Sequence, residues 1–162
     1  MTSKTDEKRE FLRHTLATLA YRGGKAIRGV PADFATYRLS DESRSASEIL
    51  AHIGDLLGWA LCLAKGEHTW KESAPLAWEQ DVERFHSSLR KLDDYLATGE
   101  PLGFQPEKLF QGPIADALTH VGQIAMLRRM AGAPMRGENY FKAKIQAGRV
   151  GPDQEAPRLE FG

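Results

Sequence analysis

Four stretches of about twenty residues repeat apolar side chains every three or four positions, and none alternates apolar with polar as a half-buried strand does. That period confines the chain to helices, and each helix must bury its stripe against another. The first stretch runs from about Thr5 to Ala26 and carries Phe11, Leu12, Leu16, Leu19 and Ala20. Gly23-Gly24 is expected to fray or end it. The second runs from about Ala46 to Lys65, with Ile49, His52, Ile53, Leu56, Ala60 and Leu63 on one face. Ser45-Ala-Ser-Glu48 reads as its capping box and Gly66 as its stop. The third, about Leu76 to Ala97, has the cleanest stripe: Trp78, Val82, Phe85, Leu89, Leu92 and Leu96. The fourth spans about Pro113 to Ala131 and is apolar over most of its circumference, as a largely buried helix is. A short fifth helix is expected from Asn139 to Ile145.

The fold class is therefore all-α, a four-helix bundle over residues 1–135 with a C-terminal extension, 136–162, packing on the bundle or on a partner subunit. The connections, about 10 to 20 residues long, exceed what an up-down-up-down bundle needs, so at least one crossover is expected. Residues 148–162, rich in Gly and Pro, read as an extended tail.

Composition narrows the function classes. Apolar residues make up 41% of the 162 positions and charged residues 27%, an ordinary globular balance. Lys and Arg number 22, as do Asp and Glu, so no excess of positive charge points to nucleic acid. The longest apolar run, around Leu56 to Ala64, is about half of a bilayer span, and the N-terminus lacks the apolar core of a signal peptide. Neither nucleic acid nor membrane is expected as a partner. The single cysteine, Cys62, has no internal disulfide partner, which fits a reducing, cytoplasmic location.

The informative residues are polar ones placed where a core should be. At about 100° per residue, His52 points with Leu56, Trp59 and Leu63, and Glu48 and Asp55 flank it. On the fourth helix Asp116, His120 and Gln123 fall within roughly 60° of one another, beside Ile124, Leu127, Met130 and Ala131. That wedge is expected to face inward. A buried carboxylate without a partner costs several kcal/mol, and a cation is one partner that removes the cost. Asp116 and His120 stand four residues apart, so they converge above one turn. With His52 they make an N2O set with an open position, which zinc, nickel or ferrous iron accepts. Gln123 would then orient a ligand or substrate, and Glu48 or Asp55 would hold the His52 ring. A hydrogen-bonded Asp–His pair inside the bundle explains the same residues without a metal.

Two stretches resemble the DinB-like superfamily, which includes YfiT-type metal-dependent proteins. Ser45-Ala-Ser-Glu-Ile-Leu-Ala-His52-Ile-Gly-Asp-Leu-Leu-Gly-Trp59 is similar to the family's second helix. Asp116-Ala-Leu-Thr-His120-Val-Gly-Gln123-Ile is similar to its final HxxxHxxQ-like helix. The likeness covers about residues 5 to 135. It implies an up-down-down-up bundle with a divalent ion, nickel or zinc foremost, and a homodimer. His52 matches the first ligand and His120 the last; Asp116 stands where the family has a histidine. The resemblance implies a hydrolase or a thiol-dependent transferase with a small-molecule substrate, such as a low-molecular-weight thiol. The alternative is a non-catalytic, stress-related binding or dimerisation module with a degenerate metal site.

The remaining residues carry ordinary expectations. Arg22-Gly-Gly-Lys25 and Arg28 lack the preceding strand of a phosphate cradle and read as solvated loop. Cys62 reads as a structural thiol, the three tryptophans as packing residues, and His14, His68 and His86 as surface residues. Tyr140 and Phe141 are expected to dock the segment from Arg136 onto the bundle, over its mouth or against a second subunit.

Overall fold

The computed structural model describes residues 2–162. The four expected stripes all become helix: α1 (Lys4–Ile27), α2 (Ala46–Ala64), α3 (Trp78–Ala97), and a fourth rod built from α4 (Pro106–Leu109), a π turn (Phe110–Ile114) and α5 (Ala115–Met130). The π turn contains Pro113, which has no N–H for the helical ladder, and the backbone widens there. The rod therefore begins earlier than Pro113, the start expected from the glycine at 112.

Helices α1 and α2 each pack on both α3 and α5, so α1 and α2 lie diagonally across the bundle. Contacts at the helix ends fix directions. Arg9, near the start of α1, donates to the carbonyls of Tyr95, Leu96, Thr98 and Glu100 at the end of α3, so these two helices are antiparallel. Arg128, near the end of α5, donates to the carbonyls of Lys25, Ala26 and Arg28 at the end of α1, so α1 and α5 run together. The ends of α2 and α3 also coincide, where the Gly103 N–H donates to Ala64 O at 2.9 Å. The order is up-down-down-up.

This order accounts for the long connections. A diagonal crossover, residues 28–45, joins α1 to α2 and is pinned by buried Phe34, which meets Trp78 edge-on and stacks on Tyr37. Because α2 and α3 are parallel, residues 65–77 must run back along the bundle, and they pass over α2: the Ser73 N–H donates to Asp55 and Trp70 lies 5.7 Å from His52.

The core joins Leu16 and Leu19 of α1, Ile53 and Leu57 of α2, Leu89 and Leu92 of α3, and Ile124 of α5. Helix α2 is long and apolar enough to cross a membrane, and here 61% of that apolar window is buried inside the bundle.

Three local expectations are corrected. Gly23-Gly24 does not end α1; the helix continues through Lys25 to Ile27. Gly23 is where the Phe85 ring enters, and a Cβ there would sit 2.6 Å from Phe85 Cζ. Arg22 and Lys25 are consequently helical, not loop. The 136–162 extension packs on α1 and is ordered by charge: buried Glu138 accepts from Lys25 at 2.7 Å and from Tyr21 Oη at 2.5 Å, and Glu160 accepts from Lys25 at 3.0 Å. Two short strands, β1 (Gly137–Glu138) and β2 (Glu160–Phe161), pair antiparallel and bring both carboxylates to Lys25. The expected fifth helix is only a 3-10 turn, Tyr140–Lys142. Tyr140 docks edge-on to Tyr21 beneath Arg22, while Phe141 is 90% exposed. The tail is anchored by Val150, fully buried, whose carbonyl lies 3.3 Å from His86 Nδ1. His86 is therefore half-buried, and burial pushes its imidazole below the usual range.

Two expected outcomes test this packing. Gly23→Ala overpacks Phe85 and should cost about 1–3 kcal/mol, whereas Gly122→Ala, which meets no atom within 4 Å, should gain up to about 1 kcal/mol. Chemical denaturation midpoints read both. Arg128→Met leaves four carbonyls, those of Lys25, Ala26, Arg28 and Ala133, without their charged donor and should cost about 2–3 kcal/mol, lowering the thermal midpoint by roughly 5–10 °C. Arg158→Met, at an exposed position, should leave it unchanged.

Candidate metal centre

His52 stands in the second turn of α2, and Asp116 and His120 occupy consecutive turns of α5. The antiparallel packing of these helices brings all three together. Asp116 Oδ2 lies 3.8 Å from His52 Nε2 and Asp116 Oδ1 lies 3.5 Å from His120 Nε2. The two imidazole rings meet edge-on at 4.7 Å between centroids. One donor atom from each residue falls within 4.8 Å of the other two. Donors held about 2.0–2.2 Å from a tetrahedral ion are about 3.4 Å apart. The two carboxylate–imidazole separations are close to that value, so the set fits a single divalent ion after small side-chain adjustment.

Hydrogen bonding prepares the ring on α5. His120 Nδ1 lies 2.7 Å from Gln123 Oε1. An amide oxygen accepts, so Nδ1 carries the hydrogen and Nε2 presents its lone pair toward Asp116. Gln123 thus fixes the tautomer that a metal-binding histidine requires. Glu48 and Asp55 sit elsewhere. Glu48 accepts from the Ser45 N–H in the capping box and from Arg38. Asp55, buried, accepts from Arg84 at 2.5 Å and from the Ser73 N–H. Neither hydrogen-bonds His52.

The polar wedge is not interior. His120 is 10% exposed at its side chain and His52 15%, but Asp116 is 48% exposed, and Gln123 and Met130 face outward. The wedge lies at the rim of the α2–α5 seam, so the carboxylate keeps a solvent-facing side and the expected burial cost is largely relieved. Burial, the Arg44 charge and the neighbouring His120 lower the His52 pKa, against smaller opposing effects of Asp116 and Asp55. A neutral imidazole near pH 7 is the ligating form.

Two neighbours carry no local sequence signal. Trp70 comes from the connection that runs back over α2, meets His52 edge-on at 5.7 Å and meets Trp59 at 5.8 Å. Trp59 in turn stacks on exposed His68. Arg44 precedes the N-cap of α2 and lines, with His120 and Gln123, a cavity of about 470 Å³ opening beside the centre. Cys62, half-exposed, is not among the three grouped donors.

No family model, curated protein or solved structure matches this chain. The chemistry of the centre therefore rests on its own residues.

The charges around His52 make a titration prediction. In metal-free protein, His52 should titrate below about 6.5, the ordinary imidazole value. Arg44→Gln should raise that midpoint by removing a repelling charge, and Asp116→Asn should lower it by removing an attracting one. Imidazole NMR shifts against pH read both directions.

Proposed function

We propose that this protein holds one divalent ion on His52, Asp116 and His120 and acts as a metal-dependent enzyme, a hydrolase or a thiol-dependent transferase. The observation that carries the reading is the convergence of two imidazoles and a carboxylate from separate helices within a single ion's reach. The resemblance of the α2 and α5 stretches to DinB-like proteins supports it, as does the Gln123–His120 hydrogen bond.

Each residue has a definable task. His120 presents Nε2 because Gln123 occupies Nδ1. His52, held neutral by its surroundings, offers a second nitrogen from the facing helix. Asp116 supplies the negative charge that offsets part of a dication, and its exposed side leaves room for an exogenous ligand. A bound ion supplies Lewis acidity and lowers the pKa of a coordinated water or thiol. Replacing a histidine ligand by Asp116 makes the set harder and one charge more negative than three neutral imidazoles. Nickel and zinc are the leading candidates, with iron also compatible with these donors. A small-molecule substrate and a homodimeric assembly belong to the same reading.

Protein purified without an affinity tag should contain close to one equivalent of transition metal by elemental analysis. His120→Ala should lose it while circular dichroism shows the helices retained. Gln123→Leu should weaken the added ion by about 10–100-fold, because the ring is no longer held in one tautomer. Metal-free protein that shows no thermal shift with zinc, nickel or ferrous iron would instead support a hydrogen-bonded Asp–His network in a binding module.

A further inference from the structure

The cavity beside the centre has features that the metal reading does not use. Its volume, about 470 Å³, lies within the roughly 300–1,000 Å³ typical of small-molecule sites. Its lining takes His120 and Gln123 from α5 and Leu39, Ser43 and Arg44 from the crossover. Two of its lining side chains are large, apolar and open to solvent: Leu39, 56% exposed, and Met126, 51% exposed. Ile49 and Leu127 extend the apolar lining inward.

The charge in this cavity is Arg44. Among the described residues it makes no ion pair, whereas Arg38, six positions earlier, is paired with Glu48 at 3.1 Å. The Arg44 guanidinium therefore keeps its five donors free, and a planar two-oxygen acceptor matches them best. The wall that carries it is already built. Ser43 Oγ accepts from the N–H groups of Leu39 and Ser40 and donates to Ser40 O. Arg38 donates to Ser43 O and the Ala46 N–H donates to Tyr37 O, so the segment is tied at both ends. A ligand finds this surface ordered in advance, which reduces the entropy lost on binding.

We propose that this cavity binds a small amphipathic carboxylate, with its anionic end on Arg44 and its hydrocarbon body on Leu39, Met126 and Leu127. The inference deepens the metal reading by giving the substrate class, and it rests on that reading only for the side of the cavity where chemistry occurs. The recognised group is an organic anion with a hydrocarbon body of several carbons. An uncharged molecule of the same length leaves the solvent-exposed Arg44 guanidinium paired only with water, and a bare carboxylate leaves the apolar lining uncovered.

Hexanoate, hexan-1-ol and acetate serve as probes, with binding followed through the methyl NMR shifts of Met126 and Leu127. Hexanoate should bind about tenfold more tightly than hexan-1-ol, and acetate should be weaker than hexanoate. Arg44→Gln should bring hexanoate down to the level of the alcohol, and Arg44→Lys should recover part of the difference. Equal binding of acid and alcohol, an unchanged preference in Arg44→Gln, or shifts elsewhere on the protein in place of those at Met126 and Leu127 would overturn the proposal. The same titration on chelator-treated protein separates the two readings. A preference that persists there supports the carboxylate site whether or not the metal assay succeeds. A preference that vanishes there while surviving Arg44→Gln in metal-loaded protein places the anion on the ion and removes Arg44 from its recognition.

Discussion

Two arginines hold the ends of helices to which they do not belong. The last carbonyls of any α-helix lack intrahelical donors, and burying them unpaired is costly. Here Arg9 of α1 supplies the end of α3, and Arg128 of α5 supplies the end of α1. Each guanidinium serves several carbonyls at once, and each bond also fixes a direction. With α1 opposed to α3 and aligned with α5, α2 can reach both neighbours only on the diagonal from α1. The return of residues 65–77 over α2 follows from that order, and so does the antiparallel α2–α5 seam. The candidate metal centre lies on that seam, and Trp70, which meets His52 edge-on, belongs to that return. The site is thus a consequence of how the bundle is tied as much as of the residues that line it.

The helices were legible because a 3.6-residue period is a local property. The stripe from Phe85 to Leu96 on α3 and the capping box at Ser45 appear in the structure as the sequence pattern implies. Where boundaries failed, a contact from far along the chain had overruled a local preference. Gly23-Gly24 reads as a helix end by propensity, yet Phe85, far away in sequence, fills the space a side chain would need. Pro113 reads as a first helical residue, yet the chain accommodates it inside a widened turn. The C-terminal extension reads as docking through Tyr140 and Phe141, whereas its charged anchoring is illegible because the partners of Glu138, Lys25 and Tyr21, are on the first helix.

The candidate site divides the same way. His52, Asp116, His120 and Gln123 were found from helical phase alone, since the three on α5 share one face and His52 faces them from α2. Their depth was not. Phase gives a direction around a helix but not the position of the bundle axis, and the wedge proved to lie at the rim, with Asp116 half-exposed. Glu48 and Asp55 are near His52 in sequence, but each had a stronger claimant, the capping box and Arg84. Arg44 and Trp70 belong to connections, where no period exists to place them.

The charge latch between α1 and the two short strands has a consequence for biosynthesis. Lys25 is buried, and its carboxylate partners, Glu138 and Glu160, follow it by 113 and 135 positions. A nascent chain that has already emerged with all of its long helices still has neither a counter-ion for that ammonium nor an acceptor for Tyr21. Until the strand pair arrives, the end of α1 has reason to stay hydrated and loosely packed against α3 and α5. Glu138 alone meets both needs and Glu160 adds a second carboxylate, so a chain that has not yet presented residue 138 would leave the end of α1 the least stable part of the bundle.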